Sequence, residues 1–422
     1  MKKTRKITEN ALALGAVQIM GLILPFLALP YLARTLGPEQ MGHMAFALAA
    51  AQAISILVDY GFNFSGTKAI SINRDDNQKI ANLWATITTI KIASALILGF
   101  AGWFVTAAFQ SESQALLLAC SYTTLIGTTL FPQWLFQGLE KLKIVSTIQV
   151  FSRIIAFALI FILIKEPGDV YLATALQGGG LMIGSAICIP LIIKIFKGTK
   201  LISPKKEDIV TQLKSGWHVF LSTAAINAYT TCNTFFLGLM VSPANLAQFH
   251  VAEKLIRAAQ ALYSPISNAI YPHISKMATE NPAEALKFNR KLTTILTPLA
   301  LIGSAVIFFI SDILVSTMFG SEYKEAAKIL KILCPLPTLI ILSNILGIQT
   351  MLPFGMEKEF SKILLSSAIL NFAIFFPLVY FYDVKGAAIA NVCVEIFVTA
   401  IMAKTLTLLN KNPISITQKI NY

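Results

Sequence analysis

Long apolar stretches joined by short polar connections form the dominant pattern along this chain of 422 residues. Each stretch holds about 20 residues or more, the length that an α-helix needs to cross a hydrocarbon core of about 30 Å. The pattern predicts about twelve membrane helices with no soluble domain between them. Their predicted ranges are 10–33, 41–62, 82–107, 114–135, 145–164, 170–193, 215–239, 246–272, 292–318, 326–352, 361–382 and 386–409.

The polar connections alternate in charge. Every second connection is rich in Lys and Arg, and the longest of these is 194–214. The connections between them, such as 110–114 and 241–245, are nearly free of positive charge. Because cytoplasmic loops are enriched in Lys and Arg, the alternation predicts that both termini lie on the cytoplasmic side.

The composition agrees with a membrane protein. Hydrophobic residues make up 55% of the chain and charged residues only 13%, which lies outside the range of soluble domains. Most of the net charge of +13 lies in the basic connections, where it orients the chain and contacts anionic lipid headgroups. No basic run is interleaved with aromatic residues, so no nucleic-acid partner is predicted. The five cysteines lie singly in apolar segments, so neither a disulfide framework nor a metal site is expected.

The connection 194–214 divides the predicted helices into two sets of six, and the predicted domains are therefore 1–200 and 201–422. Pro38 and Pro243 occupy the same place between the first two helices of each set. An even number of helices in each set means that both enter the membrane from the same side, as in a parallel repeat. We therefore predict an all-α integral membrane protein in which two six-helix bundles surround a central cavity.

Several ionisable residues lie at depths that topology does not explain. A cation at the bilayer centre costs about 3 kcal/mol or more unless it faces protein or water. The cations outnumber the acids, which predicts a lumen that attracts phosphate or pyrophosphate. The predicted substrate-binding cations are Arg34, Lys91, Arg153, Lys254 and Arg257. The candidates for ion coupling or charge pairing are Asp59, His250, Glu253 and Glu395.

Simpler explanations remain open for several of these residues. Arg34 and Lys91 lie close enough to the ends of their helices to extend toward the membrane surface. Glu253 and Arg257 are four residues apart and can neutralise each other. His250 is either a proton site or, as is more common, a hydrogen-bonded structural histidine. Arg153 is the hardest to explain in this way, because apolar residues flank it.

Four sequence motifs resemble those of the Wzx-type O-antigen flippases. The motifs are PYLARTLGPEQMG at 30–42, DYGFNFSGTK at 59–68, PQWLFQGLEK at 132–141 and AEKLIR at 252–257. They are similar to the polysaccharide-transporter branch of a superfamily that also contains multidrug exporters and lipid II flippases. The resemblance covers nearly the whole chain. Arg34, Asp59, Lys254 and Arg257 match motif positions, whereas Lys91 and Arg153 rest on their predicted depth.

The resemblance implies a flippase of the bacterial inner membrane. Its cargo would be an oligosaccharide on undecaprenyl pyrophosphate, moved from the cytoplasmic to the periplasmic leaflet by alternating access. It also implies an H+ or Na+ gradient as the driving force, with no cofactor. The expected partners are this cargo, membrane lipids, and the polymerase and chain-length proteins of the same pathway.

Three alternatives remain open. A multidrug exporter of the same architecture would favour an acidic lumen for cationic drugs. A membrane polysaccharide polymerase or glycosyltransferase would be expected to carry a large outer loop, and no outer loop here exceeds about ten residues. A non-transporting scaffold would not need so many charges at membrane depth. We therefore expect a transporter and not an enzyme.

Overall fold

Helices make up nearly all of the computed structural model, which describes residues 2–109, 111–200, 203–409 and 411–413 and has no β-strand within them. The chain forms two compact units, Met1–Gly238 and Leu239–Tyr422. This division falls after the predicted boundary at 200/201, because the two helices at Lys206–Thr230 and Asn233–Gly238 pack on the first unit. The prediction of two related six-helix halves stays a prediction.

Nine α-helices lie in the described part of the first unit. They are α1 (Lys2–Asp59), α2 (Phe62–Ile72), α3 (Asn77–Phe109), α4 (Glu112–Leu130), α5 (Gln133–Gly138), α6 (Leu142–Leu163), α7 (Val170–Ile195), α8 (Lys206–Thr230) and α9 (Asn233–Gly238). Those described in the second unit are α10 (Pro243–Ala261), α11 (Ser264–Glu280), α12 (Pro282–Phe319), α13 (Lys324–Leu333), α14 (Leu336–Leu346) and α15 (Glu357–Leu408). A π-helical turn, Gly347–Met351, follows α14.

Eight helical segments of the described residues are long and apolar enough to cross a membrane. The first and last, Phe26–Ile72 and Glu357–Leu408, are 47 and 52 residues long, which is more than twice what one crossing needs. Non-helical residues, Gly37 in the first and Asp383 in the second, divide them. The predicted helices 215–239 and 246–272 have no counterpart among the eight, and the number of twelve crossings stays a prediction.

The helix predicted at 41–62 ends early, at Asp59. Tyr60 and Gly61 have φ angles of 48° and 73°, which an α-helix does not accommodate. Helix α8 packs directly on this break, because the ring of Tyr60 stacks on Phe220 with their centroids 4.6 Å apart. A Cβ atom on Gly61 would lie 2.8 Å from Val219, so only glycine permits this approach. The break and α8 therefore form one packed assembly within the first unit.

Two further differences from the predicted helices arise at prolines. The helix predicted at 114–135 ends at Leu130, since the residue before Pro132 adopts an extended conformation. The helix predicted at 246–272 is divided into α10 and α11, with Pro265 in the first turn of α11. Proline fits the first turn of a helix because its missing N–H has no intrahelical partner there.

A buried polar network holds the helices of the second unit around the π-helical turn. The Ser267 hydroxyl donates to Asn344 Oδ1 at 2.9 Å, and Gln349 Nε2 donates to the Ser267 carbonyl at 3.0 Å. Asn289 Nδ2 donates to the Gln349 carbonyl at 2.7 Å and to the Thr350 hydroxyl at 3.1 Å. These bonds join α11, α12 and α14 in an apolar interior, where each unmade bond would cost about 1–3 kcal/mol.

Glycines bring α4, α6 and α7 of the first unit into close contact. A Cβ atom on Gly178 would lie 2.2 Å from the Thr124 backbone nitrogen, whereas one on Gly179 would meet nothing within 4 Å. Gly127 of α4 faces Leu181 of α7 in the same way, at 2.8 Å. Small residues at such crossings allow membrane helices to approach closely.

Replacing the first of these adjacent glycines tests the packing. We expect Gly178→Ala to lower the thermal unfolding temperature of the detergent-solubilised protein, because overpacking against a backbone costs about 1–3 kcal/mol. Gly179→Ala is the matched control, and its unfolding temperature should be unchanged or slightly higher. Equal unfolding temperatures for the two variants, measured by intrinsic fluorescence, would contradict the close contact.

Candidate functional site

Lys91 of α3 forms a buried ion pair in the first unit. Its side chain is only 2% exposed, and its Nζ lies 3.3 Å from Asp59 Oδ1. The same ammonium donates to the Thr128 carbonyl of α4 at 3.2 Å. Asp59 is the last residue of α1 before the break at Tyr60. The pair therefore holds α3 and α4 to the end of α1, and Asp59 offsets the charge that the sequence assigned to substrate binding.

Arg153 of α6 is the predicted cation that remains unpaired in this unit. Its side chain is partly buried, and it has no ion-pair or hydrogen-bond partner among the described residues. Gly180 of α7 packs against it, since a Cβ atom there would lie 3.1 Å from the Arg153 Cα and 3.2 Å from its Cγ. Gly180 thus leaves room for the stem of the side chain. A guanidinium without a protein carboxylate keeps its full charge and its donors for another anion.

In the second unit, α10 carries one paired and one unpaired cation. Arg257 donates to Glu253 Oε1 from Nη2 at 2.8 Å and from Nε at 3.0 Å. Lys254 is exposed, although Glu253 and Leu255 on either side of it are buried, and it forms no hydrogen bond or close ion pair within the described residues. The pairing of Glu253 with Arg257 that the sequence left open is therefore present, while Lys254 forms no such pair.

His250 lies one turn before Lys254 on α10 and is buried. No group of the described residues forms a hydrogen bond with its Nδ1 atom. A structural histidine in an apolar interior normally has both ring nitrogens satisfied, because an unsatisfied buried polar atom costs about 1–3 kcal/mol. The explanation of His250 as a hydrogen-bonded structural residue is therefore not met at Nδ1, where the described residues supply no hydrogen bond.

The two remaining candidates are Glu395 and Arg34. Glu395 of α15 accepts a hydrogen bond from the Ser343 hydroxyl of α14 and has no cationic partner in the described part of the chain. Arg34 is exposed on α1, three residues before the helix is interrupted at Gly37. Among the described residues, no cluster of His, Cys, Asp or Glu has an arrangement that would hold a metal ion.

The nine candidate residues thus contain two close charge pairs, Lys91–Asp59 and Arg257–Glu253. The sequence indicated only the second of them. The Lys91–Asp59 pair joins residues 32 positions apart, and helical spacing does not reveal such a contact. The sequence did contain one signal for this pair: Asp59 and Lys91 lie at similar depth, near the predicted inner ends of neighbouring helices. The roles of all nine candidates in transport stay predictions.

Comparison with known proteins places the chain in a family. A family model described as "Polysaccharide biosynthesis protein" matches residues 7–278. The chain is also 33% identical over 400 residues to the "Putative O-antigen transporter" of Escherichia coli (strain K12), covering 94% of this chain and 95% of that protein. The chain belongs to the polysaccharide biosynthesis protein family. This membership confirms the resemblance to Wzx-type flippases that the four motifs indicated.

Solved structures confirm the all-α membrane fold of this family member. The lipid II flippase MurJ superposes with a TM-score of 0.74 at 15% identity, covering 94% of this chain and 87% of that one. A multidrug resistance MATE family transporter of the MOP superfamily superposes with a TM-score of 0.68 at 14% identity, covering 95% and 99%. At these identities the likeness concerns the fold alone. With the named relative it supports a multi-pass membrane transporter, as predicted, and not an enzyme.

The ion pair of the first unit generates a double-substitution test in this family member. We expect Asp59→Asn to destabilise the solubilised protein by about 3–5 kcal/mol, because it leaves the buried Lys91 ammonium without its partner. Lys91→Met should cost less, because the carboxylate that it leaves unpaired is partly exposed. The double variant should recover most of the wild-type thermal stability. Additive losses in the double variant would mean that the two residues do not form a pair.

Proposed function

We propose that the chain is a flippase for oligosaccharide linked to undecaprenyl pyrophosphate, which it moves from the cytoplasmic to the periplasmic leaflet of a bacterial inner membrane. The observation that carries the proposal is that each unit contains one candidate cation, Arg153 in the first and Lys254 in the second, that forms no ion pair or hydrogen bond with the described residues. The name of the Escherichia coli relative, an O-antigen transporter, supports a cargo of this class. So does the fold shared with a flippase for another lipid-linked saccharide.

The cargo and the unpaired cations are chemically matched. A pyrophosphate bears several anionic oxygens, and the guanidinium of Arg153 offers planar paired donors for two of them. Lys254 offers a compact charge with three donors that can follow a moving anion. The lipid tail can stay in the bilayer, so the protein must shelter only the pyrophosphate and the sugars. Lys91 and Arg257 already have carboxylate partners, so in this proposal they keep the helices in place.

The same reasoning weighs against a cationic drug as cargo, because two uncompensated cations repel it. The alternating charge of the connections supports cytoplasmic termini, and we propose alternating access between the two units as the transport mode. The translocated oligosaccharide would then pass to polymerase and chain-length proteins on the periplasmic side.

For the driving force we propose a proton gradient, with His250 as the residue that takes up and releases the coupled proton. Its buried Nδ1 has no hydrogen-bond partner among the described residues, so no described protein group competes with a proton for this atom. Glu395 is the second candidate for this role. It accepts a hydrogen bond from Ser343 and has no cationic partner among the described residues. A sodium gradient is the competing outcome of the experiment below.

Removal of each unpaired cation tests the cargo assignment. We expect Arg153→Gln and Lys254→Gln each to lower the export of surface polysaccharide by about tenfold or more, since a charged hydrogen bond contributes about 1.5–3 kcal/mol. Arg153→Lys should recover part of the export. Lys165→Gln, an exposed cation just beyond the end of α6, is the control and should export normally.

Surface polysaccharide and cytoplasmic lipid-linked intermediates are measured in cells whose own gene is deleted and replaced by each variant. Deletion alone should abolish surface polysaccharide and cause the intermediates to accumulate. Normal export after deletion, in cells without a second flippase of this class, would refute the proposed function.

The coupling proposal is tested in proteoliposomes that contain lipid-linked oligosaccharide extracted from the same cells. We expect His250→Gln to abolish the proton flux that accompanies transport, because glutamine cannot take up a proton. His273→Gln on α11, where the ring contacts Phe288, is the matched control and should retain the flux. A flux that His250→Gln leaves unchanged, or transport that requires sodium at constant pH, would contradict proton coupling through His250.

A further inference from the structure

A polar groove lies in the first unit, where α2 ends and α3 and α8 begin. It encloses about 230 Å³, and its polar lining consists of Asn73, Lys79, Asn82, Thr86, Asp208 and Gln212. Four of these residues, Asn73, Lys79, Asp208 and Gln212, lie in the predicted connections 63–81 and 194–214, which the alternation of charge predicts to be cytoplasmic. Asn82 and Thr86 lie in the first two turns of the predicted helix 82–107. Neither Arg153 nor Lys254 lines this groove.

Hydrogen-bonding groups remain available in this groove. Gln78 donates to Asn82 Oδ1 at 3.1 Å, which leaves the Asn82 NH₂ group without a partner among the described residues. Asn73 donates to the Ala69 carbonyl at 2.9 Å, which leaves its Oδ1 oxygen as an acceptor. The Gln212 side chain has no hydrogen bond within the described residues. The lining therefore offers free donors and free acceptors side by side, as a ligand with many hydroxyl groups requires.

The frame of the groove is fixed by its own hydrogen bonds. Gln78 of α3 binds the backbone of Lys200 in both directions, donating to its carbonyl at 2.6 Å and accepting from its N–H at 3.2 Å. Asp208 accepts from the Lys205 N–H at 3.2 Å and so anchors the start of α8. A frame that is already ordered lowers the entropic cost of binding a ligand.

The charge of the groove favours a neutral ligand over a phosphate. Its one cation, Lys79, lies 3.4 Å from the Asp76 carboxylate. The backbone N–H of Lys79 lowers the pKa of Asp76 below its ordinary value, so this carboxyl is ionised at neutral pH. Asp208 adds a negative charge to the lining. An anionic headgroup would thus meet at least as much negative as positive charge, whereas a sugar ring would meet amides, a hydroxyl and the apolar side chain of Leu83.

We infer that this groove is a saccharide-binding site, which receives a sugar residue of the cargo on the cytoplasmic side before the pyrophosphate reaches the unpaired cations. The inference rests on the proposed function, because it requires a glycan that arrives on a lipid in the cytoplasmic leaflet. It assigns recognition of the sugar to Asn73, Asn82 and Gln212. Recognition of the pyrophosphate stays with Arg153 and Lys254.

Site-directed thiol labelling tests the groove in the full-length protein. Gln212→Cys is placed in a variant whose five native cysteines are replaced by serine or alanine. Inside-out membrane vesicles are prepared from cells that have, or lack, the enzyme that adds the first sugar phosphate to the carrier lipid. We expect the cargo to slow labelling of Gln212→Cys about threefold, since the rate falls as 1 + [L]/Kd and reaches this value at about twice Kd. Thr211→Cys, exposed on the same helix but outside the lining, is the matched control and should be labelled equally in both vesicles.

A transport measurement accompanies the labelling. The double variant Asn82→Ala and Gln212→Ala should lower polysaccharide export about tenfold, because two hydrogen bonds to the sugar are lost, while Thr211→Ala should not. Equal labelling of Gln212→Cys in both vesicles, with normal export by the double variant, would overturn the groove assignment and leave the proposed function intact. Slow labelling that persists without the cargo would indicate a lipid headgroup and would also overturn it. Export that does not depend on the chain at all would refute the proposed function, and the groove assignment with it.

Discussion

The cost of a charge in apolar surroundings determines most of what this protein presents to its cargo. A carboxylate or ammonium loses its hydration there, and it must be paired, reach water or meet a ligand. Lys91 and Arg257 are paired, with Asp59 and Glu253 as their partners. Arg153 and Lys254 form no ion pair or hydrogen bond in the described part of the chain. The distinction between paired and unpaired cations, rather than the number of cations, therefore separates residues that hold helices together from residues that can bind an anion.

Backbone polar groups are subject to the same cost, and the helix breaks show how it is met. The turn at Tyr60 and Gly61 is covered by α8 through stacked rings and a close glycine contact. In the second unit, the π-helical turn at 347–351 is held by amide and hydroxyl side chains from neighbouring helices. Irregular backbone in a membrane protein is tolerated where protein surrounds it, and neighbouring helices contact both breaks.

The fold was largely predictable because its signal is long and repeated. Apolar length and alternating loop charge indicated an all-α multi-pass protein, and proline or glycine marks most of the places where predicted helices end early, as at Pro132 and Gly61. The sites were less predictable. Spacing along one helix indicated the Glu253–Arg257 pair, but no sequence rule joins Lys91 to Asp59 or brings Asn73 close to Gln212. Those contacts depend on how separate helices pack, which periodicity does not determine.

The packing of α8 on the turn after Asp59 also has a practical consequence. The chain is most naturally cut between Gly238 and Leu239, where its two compact units meet in sequence. Coexpressed fragments divided there would each keep the helices that pack on them. Fragments divided at the long basic connection would leave the Tyr60 ring and the glycine beside it without Phe220 and Val219, and would expose an apolar surface on the first fragment. A fragment boundary at the connection richest in positive charge would therefore separate residues that pack together within the first compact unit.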